Sequence, residues 1–272
     1  AKQEIVDTVR AYLLKDEYGE YVIPRVKQRP ILILGAPGIG KTQIVEQAAR
    51  ECGVALVAYT ITHHTRQSAI GLPFISEKEY GGKKYSATEY TMSEIVASIY
   101  EKMKETGLEE GILFIDEINC VSETLAPAML QFLQNKTFGN HEIPKGWVIA
   151  AAGNPPEYNK SVREFDVVTL DRVKKIQVEP DYQAWRKYAR RENFHPAILS
   201  YLELRNSCFY QMETTIDGVE FATPRGWEDL SRMMEVCEKL GKEITVDLTI
   251  QYIQHERIAR EFADYYELYR KY

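Results

Sequence analysis

Ile31-Leu-Ile-Leu-Gly35-Ala-Pro-Gly-Ile-Gly-Lys41-Thr42 is the stretch on which the fold turns. The apolar run Ile31–Leu34 predicts a short buried strand. The next eight residues satisfy GxxxxGK[ST] in full. Thr42 to Cys52 then predict a helix, closed by Gly53. The glycines let the backbone curl so that several N–H groups point inward. With the positive end of the following helix, those donors cradle phosphate oxygens. The predicted cradle comprises Gly35, Ala36, Pro37, Gly38, Ile39, Gly40, Lys41, Thr42 and Gln43. Lys41 is expected to reach the β- and γ-phosphates of a bound ATP, and Thr42 to place its hydroxyl on Mg²⁺. A glycine turn alone would be a weak signal. The full pattern between a strand and a helix is a specific one.

A second stretch supports the same chemistry. Ile112-Leu-Phe-Ile-Asp116-Glu117 sets two carboxylates at the end of a buried strand, where open α/β sheets bind their ligands. Asp116 is the expected metal partner, and Glu117 the general base that polarises an attacking water. Alone, the pair would better be read as capping the next helix. Cys120 lies nearby, but one thiol without a resolving partner predicts a structural role.

Outward from these two strands the pattern alternates. Ile5, Val6, Val9, Leu13 and Leu14 predict a helix over residues 3–16. Strands are expected at 55–61, 148–152 and 173–178, and helices at 91–106, capped by Ser93 or Thr91, and 122–135. Gly81–Gly82 predicts a hairpin within 72–90, and a second small hairpin or a loop is expected at 136–145. After Pro180 the pattern is helical, near 181–192, 196–206, 224–240 and 245–271, with a hairpin around Asp217–Gly218. Strands alternating with helices predict a parallel α/β sheet at residues 1–180. Residues 181–272 predict a smaller, mostly helical lid.

Composition sets outer bounds. The chain has 272 residues, 44% hydrophobic and 27% charged, with a net charge of -6. No basic excess points to nucleic acid. No run reaches the roughly 18–20 apolar residues of a membrane span, and no secretory leader is apparent, so a cytoplasmic setting is expected. Cys52, Cys120, Cys208 and Cys237 form no CxxC pair, and His63–His64 in an extended segment would face opposite ways. No metal cluster is expected from either.

With these motifs in view, the sequence resembles AAA+ ATPases, and within them the MoxR-like group with a helix-2 insert. Ala151-Ala-Gly-Asn154-Pro155 matches the family's sensor 1 position, which implies that the Asn154 amide holds the lytic water or the γ-phosphate. Leu170-Asp171-Arg172 resembles the segment carrying the arginine finger, with Val173 in place of an aromatic residue, and Arg163 is the alternative finger. Thr223-Pro224-Arg225 resembles sensor 2, with Arg225 touching the nucleotide from its own subunit; a salt bridge from Arg225 to Glu228 or Asp229 is the competing reading. The inserts at 72–90 and 136–145 imply pore-facing loops, with Tyr80, Tyr85, Phe138 and His141 as candidate client contacts.

The resemblance implies an ATP hydrolase acting in a ring, a hexamer by family habit. It would remodel a protein client with a von Willebrand factor A domain partner. Two competing functions remain: a nucleic-acid-directed motor, and a scaffold that binds nucleotide without hydrolysis. The first lacks a basic surface signal, and the second is disfavoured by the intact Lys41, Asp116, Glu117 and Asn154.

Overall fold

A computed structural model describes residues 1–138, 140–158, 162, 164–216 and 218–271. The chain divides into two compact units, one of residues 1–36 and 41–178, the other of 37–40 and 179–272.

The first unit opens with α1 (Lys2–Leu13), β1 (Ile31–Leu34), α2 (Lys41–Cys52), β2 (Ala55–Thr60) and α3 (Arg66–Ile70). A hairpin of β3 (Pro73–Tyr80) and β4 (Lys83–Tyr90) leads to α4 (Glu94–Thr106) and β5 (Gly111–Asp116). Then come α5 (Ala126–Asn135), the short pair β6 (Thr137–Phe138) and β7 (His141–Glu142), β8 (Trp147–Gly153), α6 (Val167–Arg172) and β9 (Lys174–Gln177).

Five strands form one sheet in the order β2-β5-β8-β1-β9, every neighbour parallel. This is the α/β class that alternating strands and helices predict. Parallel strands need crossovers, and the helices supply them while covering the faces. The central strands are therefore apolar throughout: Trp147–Gly153 is buried along its whole length, and Ile112–Ile115 is at most 1% exposed. The register sets Leu34 beside Gly153 and Thr60 beside Asp116, so β1, β2, β5 and β8 present their C-terminal ends together.

Several local expectations shift. The helix expected at 122–135 starts at Ala126, because Pro127 has no N–H to give and suits a first turn. Ser93, not Thr91, caps α4, its hydroxyl accepting from the Ile95 N–H at 3.1 Å. Thr91 instead closes the base of the β3–β4 hairpin, its hydroxyl accepting from the Leu72 N–H at 2.9 Å. Gly81 and Gly82, both at positive φ, make that hairpin's two-residue turn. His63 ends a short 3-10 turn, Ile61–His63, and His64 packs edge-on against Tyr59. No group of three or more potential metal ligands occurs among the described residues.

The smaller insert corrects one expected contact. Phe138 is 1% exposed and stacks on Phe132 at 3.9 Å between centroids, so it belongs to the core. His141 is half-buried beside the Tyr90 carbonyl, whereas Tyr80 and Tyr85 are exposed.

Lys136 caps α5 in the left-handed conformation, and its ammonium donates to the carbonyls of Arg25 and Gln28. Burial, and then the Arg25 charge, pulls its pKa from 10.5 down to about 8. Between those values an unfolded chain carries a proton that the folded one does not, so stability rises with pH through that window. The melting temperature of wild type minus that of Lys136→Met should therefore climb from pH 7.5 to about 10. A difference that stays flat would remove Lys136 from this role.

The second unit holds α7 (Tyr182–Arg191), α8 (Pro196–Leu204), the hairpin β10 (Gln211–Thr215) and β11 (Gly218–Ala222), α9 (Pro224–Lys239), α10 (Val246–Ile250) and α11 (Glu256–Tyr269). Asp217, in the expected turn, lies outside the described residues. Trp227, Tyr201 and Phe262 pack at 5.3–5.8 Å between rings, and the Trp227 indole donates to the Cys208 carbonyl at 3.1 Å. The single helix expected at 245–271 is broken at 251–255. There the Gln254 carbonyl accepts from the Phe221 N–H at 2.9 Å, and the Glu256 N–H donates to the Glu220 carboxylate at 3.0 Å. Those contacts with β11 take the backbone groups a continuous helix would use. No described helix is long and apolar enough to cross a membrane.

Candidate functional site

Strand β1 delivers the chain to Gly35 at the sheet's C-terminal edge, and α2 begins at Lys41. Between them Gly38 and Gly40 stand at φ 74° and 88°. Only glycine takes such angles without strain, which is why the loop needs them. The crest, Pro37–Gly40, clusters with the second unit, where the Arg225 N–H donates to the Gly38 carbonyl at 3.2 Å. A Cβ on Gly38 would lie 3.0 Å from the Thr223 side chain.

Lys41 is 8% exposed. Its ammonium donates to the carbonyls of Gly35 at 2.8 Å and Ala36 at 2.9 Å, and to Asn154 Oδ1 at 2.8 Å. A buried ammonium is tolerated only when hydrogen-bonded, and these oxygens are among those that serve it. Thr42 Oγ1 donates to Asp116 Oδ2 at 2.9 Å. Asp116 Oδ1 accepts from the Glu117 N–H at 2.9 Å, and Glu117 holds φ 58°, uncommon for a residue with a side chain. Thr42, Asp116, Lys41 and Asn154 thus meet where β1, β5 and β8 end. Gln43 follows in the first turn of α2, half-buried.

Two residues that sequence reasoning passed over complete the cluster. Thr62, just past β2, donates its hydroxyl to Glu117 Oε2 at 2.8 Å. Asn119, 5% exposed, bonds the main chain of Asn154 twice. A polar residue two positions after Glu117 was the available signal for Asn119; nothing local marks Thr62. Cys120 is half-buried, and burial, followed by the Glu117 charge, pushes its thiol pKa up. That disfavours the reactive thiolate form.

The arginines stand differently. Arg172 ends α6, exposed, and its guanidinium bonds Gln134 rather than any member of the cluster. Arg163 lies outside the described residues. Arg225 is exposed and makes no ion pair among the described residues. Glu228, one candidate partner, pairs with Arg232 and accepts from Tyr188 at 3.2 Å.

The donor set suits a magnesium-bound triphosphate. The Lys41 ammonium is a cation that can pair with phosphate oxygens, and a hydroxyl–carboxylate pair at 2.9 Å offers the hard oxygens that Mg²⁺ prefers. The sequence profile of the AAA domain, dynein-related subfamily, matches residues 30–173, a span that holds every member of this cluster. A solved mutant of Thermotoga maritima RuvB is similar in structure, at 12% identity and a TM-score of 0.46, over 93% of this chain and 70% of that one. No curated protein matches the chain.

Proposed function

The chain belongs to the dynein-related subfamily of AAA domains, and from that premise we propose that it hydrolyses Mg-ATP in an oligomeric ring to remodel or assemble a partner protein. The observation that carries this reading is the meeting of Lys41, Thr42, Asp116 and Asn154 at the ends of three parallel strands.

In this reading the N–H groups of the Gly38–Gly40 crest and the Lys41 ammonium hold the phosphates. Thr42 and Asp116 would hold Mg²⁺, which when bound neutralises charge on the phosphate oxygens. Glu117 accepts the proton of the attacking water, and its hydrogen bond from Thr62 orients the carboxylate. Asn154 presents its amide to the lytic water or the γ-phosphate. Arg172 is the proposed finger, supplied to a neighbouring subunit, where it stabilises charge spread over the equatorial oxygens. Arg225 takes the sensor 2 role within its own subunit.

The finer assignment is MoxR-like chaperone activity in a hexamer, with a von Willebrand factor A domain partner. It is supported by the β3–β4 hairpin between α3 and α4, with Tyr80 and Tyr85 exposed for a client. Its setting is proposed as cytoplasmic, in keeping with four free thiols.

A finger acting across subunits makes turnover depend on assembly. Phosphate release per subunit should rise with protein concentration, in step with ATP-dependent oligomers seen by light scattering. Flat specific activity over a wide dilution series, with no oligomer, would sink the ring. Stimulation by DNA or RNA would transfer the function to a nucleic-acid motor, against the net charge of -6.

A further inference from the structure

Both ends of the Asn119 amide reach the main chain of Asn154, and its Oδ1 also accepts from the Cys120 thiol at 3.9 Å. Its Nδ2 donates to the Asn154 carbonyl at 2.8 Å, and its Oδ1 accepts from the Asn154 N–H at 3.2 Å. One position earlier, the Ile118 N–H donates to the Ala152 carbonyl at 2.9 Å. The turn after β5 is thereby laced to the end of β8. The approach is close: a Cβ on Gly153 would lie 2.7 Å from Asn119 Oδ1. Pro155 narrows the backbone of Asn154 further, because a residue before proline is held near extended conformations. With both main-chain groups of Asn154 held, the direction of its Cα–Cβ bond is fixed, and from there its side chain meets Lys41 Nζ at 2.8 Å.

We propose that Asn119 is a positioning residue for ATP hydrolysis: it clamps the main chain of Asn154 so that the Asn154 amide stays aimed at Lys41 and the reacting phosphate. The inference rests on the ATPase reading above. An asparagine suits the task because it offers a donor and an acceptor side by side. Leucine has neither, and an ionised aspartate has no donor.

A positioning role separates turnover from binding. In Asn119→Leu, kcat should fall about tenfold while the dissociation constant of a fluorescent ATP analogue stays within about threefold. In an Asn154→Ala background the clamped side chain is gone, so adding Asn119→Leu should lower kcat by less than about twofold more. A purely structural role would add its full loss in both backgrounds. If Asn119→Leu does not fold, Asn119→Asp, of nearly the same shape, takes its place with the same pattern expected. An unchanged kcat in the single variant, an affinity loss as large as the turnover loss, or the same further loss on top of Asn154→Ala would each overturn the clamp. Wild type that binds and turns over ATP in the same assays keeps the broader reading intact in any of those cases. Wild type without turnover would overturn both.

Discussion

A Lys41→Ala protein should turn over ATP at least about a hundredfold more slowly than wild type, and should bind it far more weakly. The Lys41 ammonium is the buried positive charge of the loop, and three oxygens already fix its direction. Removing one preorganised donor from a site that stabilises developing charge typically costs about 10²–10³ in rate. The same change leaves the Gly35 and Ala36 carbonyls and Asn154 Oδ1 short of a donor, at about 1–3 kcal/mol for each buried acceptor that water does not reach. Two readouts separate the effects. Phosphate release gives the rate. Thermal melts with and without Mg-ATP give the binding, because a ligand at a hundred times its Kd stabilises the folded state by about 2.7 kcal/mol. Wild type should gain that increment and Lys41→Ala should lose most of it. An equal gain in both proteins would mean that the triphosphate sits elsewhere.

Glu117→Gln should also lose turnover but, unlike Lys41→Ala, should keep its hold on ATP. ATP binding is expected to stay near wild type while turnover drops by at least about tenfold. Glutamine keeps the size of the side chain and can still accept from the Thr62 hydroxyl, so the local geometry at 2.8 Å survives. What disappears is the basic carboxylate that takes a proton from water. Asp116, which pairs with Thr42, is untouched. Such a variant should also hold the ATP-bound assembly long enough for affinity capture of its client. Equal turnover in the two proteins would refute the role given to Glu117. Loss of binding instead would place Glu117 among the residues that grip the nucleotide.

Much of this site could be read along the chain, and the reason is that its signals are local. Ile31–Leu34 is apolar because both faces of a parallel strand are covered. Gly38 and Gly40 are glycines because the loop turns through positive φ there. Gly81–Gly82 marks its hairpin for the same reason. Asp116 and Asn154 could be picked out because each ends an apolar run, and strand ends are where such sheets work.

By itself, then, the sequence determined the parallel α/β class, the phosphate loop and the acidic strand end, since each is written in a few consecutive residues whose backbone angles or burial permit little else. Only the tertiary structure decided that Asn119 grips Asn154, 35 residues away, that Thr62 bonds Glu117 across 55, that β11 interrupts the last helix at 251–255, and that Phe138 is core rather than contact surface. Those outcomes depend on which strand lies next to which. Register and neighbour are properties of the assembled sheet and of packed side chains, and no short stretch of chain encodes them.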